Sequence, residues 1–363
     1  MTSSTMATAT LVRLGQATNR TFVLPLLIFY PTGRCNSRCI SCDWWNQSGA
    51  GELTLDEIHG LARALPALGT RVVAFSGGEP LLRPEVFEVA QMFREQGITL
   101  HLLTSGVLLE RFADRVAQQF SRVTVSLDAT SAALYEQIRG VDALATVGRG
   151  IARLRCGAPD VPLSGRATLH RANFRELPGL IDYAKSLDLD GISFLPVDIS
   201  SLGFGRAAGP VPGPLPGPDL NLAPSSPQLR ALALEAEEIT EFEAIIERTI
   251  AVYAADFDSG FVAESPDKLR RLPRYYAALG GTEPFPRVSC NAPWVSVVVE
   301  ANGSVRPCFF HGSIGNVRQA PLATIVASNL RAFRESLDVG ANPVCVRCVC
   351  SLKTSWRSAP WAS

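Results

Sequence analysis

The feature that most restricts the fold is an alternation between residues 22 and 198. Short apolar, β-branched runs at 23–30, 72–75, 100–103, 123–127, 166–169 and 192–195 take turns with longer amphipathic runs at 54–64, 84–96, 109–119, 131–138, 144–154 and 174–186. Strand-length runs separated by helix-length runs predict repeated βα units and a parallel sheet. Six units predict an α/β fold with a partial (βα)6 barrel over residues 22–202, since a full eight-unit barrel needs more chain before residue 200.

The remaining chain divides by composition. Residues 1–21 are rich in Thr, Ser and Ala and read as a flexible N-terminus. Residues 203–227 are rich in Gly, Pro and Ser and read as a linker or loop, a spacer in preference to a flap. Residues 228–289 form a helical connection, with a helical run at 229–253. Residues 290–363 form a small α+β unit with cysteines of its own. There, the runs 295–299 and 305–309 flank Asn302-Gly303, which predicts a hairpin closed by a type I′ turn.

With 47% hydrophobic residues in 363, the chain has ample material for a core. Lys+Arg and Asp+Glu are both 34, so no net charge calls for a nucleic-acid partner or an anionic membrane. The apolar run at 22–30 contains Pro25 and is far short of the roughly 20 residues of a membrane span. No signal-peptide cleavage pattern follows it, and a cytoplasmic location is expected. Six of the nine cysteines gather in two close groups, one early and one late, which points to metal binding more than to disulfides.

Cys35, Cys39 and Cys42 are spaced C-x3-C-x2-C directly after the first strand. Three thiolates at this spacing can hold three irons of a cubane and leave the fourth open to a small molecule; a zinc site is the alternative. Further motifs stand at strand ends: Ser76-Gly77-Gly78-Glu79-Pro80, Leu103-Thr104-Ser105-Gly106, and Val125-Ser126-Leu127-Asp128 leading to Ile138-Arg139-Gly140. In parallel βα folds, loops beyond the C-terminal strand ends carry the ligand.

With these motifs the chain resembles the radical S-adenosylmethionine (SAM) superfamily. The resemblance implies that Cys35, Cys39 and Cys42 bind a [4Fe–4S] cluster whose fourth iron chelates SAM. It further implies that Gly77, Gly78, Glu79 and Pro80 meet the methionine amino group. By the same resemblance Thr104 is a candidate SAM contact, Ser126 a candidate ribose or methionine contact, and Asp128 a weaker candidate. Arg166, at the start of the fifth strand, can pair with the SAM carboxylate or form a surface salt bridge, and Leu195 can pack on adenine. Two positions depart from the family pattern: Ser41 stands where many members have an aromatic residue, and Ser105 where Asn is usual. Trp44 or Trp45 can supply the flat surface instead.

Cys290, Gly303-x4-Cys308, Gly315-Asn316-Val317 and Cys345-x2-Cys348 resemble the auxiliary-cluster region called SPASM or its one-cluster form, twitch. The resemblance implies one auxiliary [4Fe–4S] cluster on Cys290, Cys308, Cys345 and Cys348, with Cys350 as an alternative to Cys348 and a four-thiolate zinc site as the alternative group. Cys156 stands apart and reads as a buried core thiol. The four histidines show no ligand spacing, although His311 falls near the auxiliary cysteines.

The implied reaction is reductive cleavage of SAM to a 5′-deoxyadenosyl radical that abstracts hydrogen from a substrate. A small biosynthetic metabolite (sugar, cyclitol or nucleoside) is preferred as the partner, because only 34 residues precede Cys35, too few for a peptide-recognition domain. A peptide- or protein-modifying maturase and a non-catalytic iron–sulfur or zinc scaffold are the alternatives. An electron donor such as flavodoxin or ferredoxin is expected.

Overall fold

The computed structural model describes residues 3–206, 226–350 and 352. One sheet organises them. Its strands are β1 (Leu26–Phe29), β2 (Val72–Phe75), β3 (Thr99–Thr104), β4 (Arg122–Ser126), β5 (Leu163–Leu169), β6 (Gly191–Pro196), β7 (Ser296–Val299), β8 (Ser304–Arg306) and β9 (Gly315–Asn316). They lie in the order β6-β5-β4-β3-β2-β1-β7-β8-β9. All pairings from β6 to β7 are parallel, while β8 and β9 add antiparallel. The late region is thus stitched into the early one: β7 pairs with β1, Leu26 opposite Ser296 and Phe29 opposite Val299.

The crossover helices are α2 (Leu55–Ala64), α3 (Val86–Arg94), α4 (Leu109–Gln119), α5 (Ala132–Arg139), α6 (Leu144–Gly157) and α7 (Leu177–Ser186), with α1 (Ser3–Thr18) before the sheet. Local chemistry sets their ends. Thr54 and Glu57 form a capping box at the start of α2. Ser131 caps α5, which stops where Gly140 takes φ 66°, a left-handed conformation that costs glycine little. The helices pack on one face of the sheet through alternate strand residues such as Leu100, Leu102, Val123 and Val125. Phe29, Phe75, Phe93 and Phe120 interlock edge to face in this layer, with centroids 5.3–5.8 Å apart. Each such fully buried side chain contributes about 1.5–3 kcal/mol. The intervening residues turn to the other face, which is free of these crossover helices among the described residues. Register sets Thr124 beside Ser164, Ser126 beside Arg166, Arg166 beside Ser193, and Thr168 beside Leu195.

The structure departs from the sequence expectations at several points. The N-terminal segment is a helix rather than a flexible tail. Val12 packs with Val23, Leu26, Val72 and Val295, and Trp294 Nε1 donates to Asn19 Oδ1 at 3.1 Å just beyond the helix. These partners come from distant sequence, so composition alone could not reveal them. The run 229–253 breaks into α8 (Pro227–Arg230) and α9 (Ala236–Val252). The hairpin opposes Val299 to Val305, and Glu300 N donates to Ser304 O at 2.9 Å. That leaves a three-residue loop with only Gly303 at positive φ (85°), a type I turn followed by a left-handed glycine rather than type I′. Arg166 sits mid-strand in β5 rather than at its start. Cys156 is exposed on α6, because the buried positions there, Val147, Ile151 and Leu154, lie on the opposite face. Of the expected linker 203–227, residues 207–225 lie outside the described residues, whereas 203–206 pack against the first cysteine loop. Among the described residues, no helix is long and apolar enough to cross a membrane.

Candidate functional site: two cysteine groups on either side of β1

The loop after β1 that carries Cys35, Cys39 and Cys42 is held from three directions. From β2, Gly78 N donates to Thr32 O (3.3 Å) and Glu79 N to Arg34 O (2.8 Å). A Cβ on Gly78 would sit 2.1 Å from the Arg34 carbonyl oxygen, so only glycine permits this approach. From the end of α5, the carbonyls of Arg139 and Ile138 accept from Arg38 N (2.7 Å) and Ile40 N (3.0 Å). From the segment after β6, Phe204 O accepts from Asp43 N (2.8 Å), and Arg206 Nη2 donates to Ser41 O (3.0 Å). Phe204 is left-handed at φ 61°, a conformation costing a non-glycine residue roughly 1–2 kcal/mol. The Asp198–Arg206 pair at 2.9 Å, nearly sealed from solvent, anchors that segment.

The three thiols are close enough to perturb one another. Burial pushes Cys42 up to about 12 and Cys35 to about 11, and raises Cys39. Neighbouring cysteines push Cys42 and Cys35 further in the same direction. The buried Arg139 guanidinium opposes the rise in all three. Buried thiols of this kind stay protonated unless a bound cation displaces the proton. Asn36 Nδ2, Ser37 Oγ and Arg139 Nε lie buried beside them without hydrogen-bond partners. This donor set fits an iron–sulfur cluster, which takes Cys thiolates and N–H donors to sulfur.

The other residues singled out in the sequence fall into three groups. Half-buried Gly77 and Gly78 and buried Glu79, Pro80 and Thr104 form a scaffold under the loop. Glu79 is fully buried, and its carboxylate accepts from Ser105 N (2.7 Å), Thr104 Oγ1 (2.8 Å) and Leu81 N (3.1 Å). Burial raises its pKa against these bonds. The Ser105 side chain bonds it too, so these donors fill most of the roughly four acceptor sites of the carboxylate. Asp128 forms the second group, committed to Arg139 Nη1 (2.9 Å) and Thr168 N (2.8 Å). Ser126, Arg166 and Leu195 form the third, on the helix-free face; Arg166 Nε donates to Ser193 Oγ at 3.1 Å. Sequence reasoning missed Arg139 as a site residue, along with Phe204 and Arg206. Arg139-Gly140 stood in a quoted motif, but only the fold shows that it grips the cysteine loop and faces Cys35 and Cys39.

The second group lies across β1 and β7. Cys290, Cys308, Cys345 and Cys348 line one small cavity together with His311. Burial raises Cys290 and Cys345 to about 12 and raises Cys308. Backbone N–H groups of Phe310 and His311 bond Cys308, and Ala292 N lies 3.4 Å from Cys290 Sγ. Asn342 Oδ1 caps the turn that presents Cys345, accepting from Val344 N (3.0 Å) and Cys345 N (3.1 Å). Cys350 acts electrostatically on Cys290 and Cys308. Among the described residues, no three His, Cys, Asp or Glu side chains gather closely enough for a single metal ion. The buried ring of Tyr30 stands between the two groups, edge-on to Trp44 (5.3 Å) and Phe309 (6.2 Å), and within the field of both Cys42 and Cys308.

A parallel α/β sheet with a three-thiol loop at the end of β1 and a second thiol group beside β7 defines an iron–sulfur protein. Residues 29–156 match the radical SAM superfamily, and residues 290–349 match the SPASM iron–sulfur cluster-binding domain. The AdoMet-dependent heme synthase of Methanosarcina barkeri is 33% identical over 45% of this chain and 47% of its own length. The PqqA peptide cyclase of Rhodopseudomonas palustris is 32% identical over 47% of this chain and 46% of its own. Streptococcus suis SuiB, in a crystal structure bound to precursor peptide SuiA, shares the fold over 98% of this chain and 80% of its own (TM-score 0.60, 13% identity). The chain spans about half the length of the curated relatives it matches. It is a radical SAM superfamily enzyme with a C-terminal SPASM iron–sulfur domain. A [4Fe–4S] cluster and SAM are its cofactors, and the SPASM domain binds auxiliary iron–sulfur clusters.

Proposed function

We propose that this enzyme modifies a peptide or protein substrate. The observation that carries the reading is a cleft of about 270 Å³, lined by polar and apolar groups in similar measure, at the C-terminal ends of β1 and β7. Its lining includes Gly33, Trp44, Glu52, Arg206, Glu300 and Arg306. A small metabolite is ordinarily enclosed in a mostly apolar pocket of about 300–1,000 Å³. A cleft of mixed polar and apolar lining, with Gly33 and Gly205 offering backbone groups, suits an extended chain better. The likeness to the PqqA peptide cyclase and to peptide-bound SuiB supports the same choice, so the peptide reading replaces the small metabolite as the first expectation. The heme synthase relative favours the small-molecule reading, which stands second.

In this reading Cys35, Cys39 and Cys42 hold the SAM-binding [4Fe–4S] cluster. The cluster, when bound, supplies the electron that splits SAM into methionine and the 5′-deoxyadenosyl radical that takes hydrogen from the substrate. Glu79 receives the SAM ammonium, with Gly77, Gly78, Pro80 and Thr104 fixing its place. Arg166 offers two parallel N–H donors to the carboxylate from the helix-free face, where Ser126 and Leu195 stand beside it. Asp128 holds Arg139 beside the cysteines and contacts no ligand itself. Cys290, Cys308, Cys345 and Cys348 hold one auxiliary [4Fe–4S] cluster, because these four line a single cavity. With four protein thiolates the auxiliary group offers no open site for substrate, and takes up the substrate electron instead. Residues 22–202 and 290–363 act as the SAM and auxiliary units, joined through β1 and β7.

The test uses full-length protein purified and reconstituted without oxygen. It is given SAM, dithionite and a deuterated cell extract divided by ultrafiltration into peptides and small metabolites. Deuterium appearing in 5′-deoxyadenosine with the peptide fraction is the expected result. Deuterium transfer confined to the metabolite fraction would overturn the peptide reading while leaving the enzyme class intact.

A further inference from the structure

His311 carries a feature that ligand assignment leaves unexplained. It is 1% exposed, with its ring packed edge-on against Phe333 at 4.9 Å. Its Nε2 lies 3.3 Å from Cys345 Sγ, and its Nδ1 is buried without a partner. The ring lines the same cavity as the four auxiliary cysteines. An imidazole placed only for packing is a costly choice there, since a buried nitrogen without a hydrogen bond is penalised. Phe would fill the space without that penalty.

We propose that His311 is a positioning residue for the auxiliary cluster, donating an Nε2–H···Sγ hydrogen bond to Cys345 that raises the cluster's reduction potential. The proposal rests on the reading above that Cys345 ligates an auxiliary cluster. A metal-bound thiolate only accepts hydrogen bonds, so the nitrogen facing it carries the proton and Nδ1 is bare. That tautomer accounts for both nitrogens: the proton is used at sulfur, and the partnerless atom is a lone pair rather than an abandoned donor. Cys308 and Cys290 take N–H donors from the backbone, Cys308 from Phe310 and His311 and Cys290 from Ala292. His311 is therefore a place where a side-chain change can remove a donor to sulfur. Donors to sulfur stabilise the reduced cluster, which bears one more negative charge, and so shift its potential upward.

The experiment compares wild type, His311→Phe and His311→Gln, reconstituted without oxygen, by iron content and by EPR-monitored redox titration. The expected result is unchanged iron in all three, a negative shift of the auxiliary midpoint in His311→Phe, and a smaller shift in His311→Gln, which keeps an N–H. An unchanged midpoint in a fully loaded His311→Phe would overturn the proposal. So would loss of the auxiliary signal in His311→Phe with retention in Cys345→Ser, which would make His311 the ligand. Absence of any auxiliary cluster in the wild type overturns instead the ligand reading beneath it, and iron content separates the two failures. Should His311→Phe not fold, ENDOR on wild type labelled with ¹⁵N-histidine decides. A weak nitrogen coupling supports the hydrogen bond, whereas a strong coupling or none refutes it.

Discussion

Adding one methyl group to Gly78 tests the claim that the Gly77-Gly78-Glu79 turn acts first as a cradle for the cysteine loop. The new Cβ would lie 2.1 Å from Arg34 O and 2.8 Å from Gly33 O, both backbone atoms that cannot swing aside. Contacts under 3.0 Å are essentially never seen, so the loop must retreat by about 1 Å, breaking the Glu79 N to Arg34 O bond of 2.8 Å. Overpacking of this kind costs about 1–3 kcal/mol. Because the strain falls on the segment that positions Cys35, it is expected in cluster affinity, about tenfold for each 1.4 kcal/mol. The melting temperature of so large a chain should move by only a few degrees, at roughly 2 °C per kcal/mol or less. Gly60→Ala is the control. Nothing lies within 4 Å of a Cβ at Gly60, which is inside α2, so this change should stabilise by about 0.5–1 kcal/mol. The assay is iron per chain after limited reconstitution, 5′-deoxyadenosine from SAM, and a thermal melt. Full iron loading and full SAM cleavage in Gly78→Ala would refute the cradle.

Other outcomes follow from the same geometry. Arg139→Met strands the buried Asp128 carboxylate, whose partner lies at 2.9 Å. It should cost about 3–5 kcal/mol in denaturant unfolding, and a Lys at the position should not restore the loss. Replacing Cys35, Cys39 and Cys42 together by Ala should abolish 5′-deoxyadenosine formation and remove about four irons per chain. Cys156→Ser, on the exposed face of α6, should change neither. Cys348→Ser should remove the auxiliary EPR signal and Cys350→Ser should spare it; the reverse would exchange their roles. His170 is fully buried, and burial lowers its pKa to about 4 from 6.5. Since the unfolded chain takes up that proton first, its contribution is complete above about pH 6.5 and is lost as pH falls toward 4. Urea midpoints measured across this window should fall less steeply in His170→Gln than in wild type.

The βα alternation was legible because a strand buried against helices and an amphipathic helix each leave a periodic trace. The six strands of the early region fall where their apolar runs lie. The cysteine spacings were legible too, because Cys35, Cys39 and Cys42 share one loop and Cys345 and Cys348 share one turn. Strand ends marked the places where polar residues collect. What escaped was everything set by residues far apart in sequence. Ser3–Thr18 is helical because Val23, Val72 and Val295 give Val12 a place to pack. Cys156 is exposed because the phase of α6, rather than residue type, decides burial.

The sequence by itself determined the class of chemistry: three thiols after a strand, a Gly-Gly-Glu turn after the next, and a second set of thiols around a hairpin. Only the tertiary structure decided how these parts serve one another. It pairs β7 with β1, and so brings the two thiol groups to either side of one buried tyrosine. It spends Glu79 and Asp128 largely on holding neighbouring segments, leaving Ser126 and Arg166 on the helix-free face. It also sets His311 against Cys345, 34 residues away in the chain. Hydrogen bonds and electrostatic fields act over a few ångströms of space, and sequence records that proximity only within a single element.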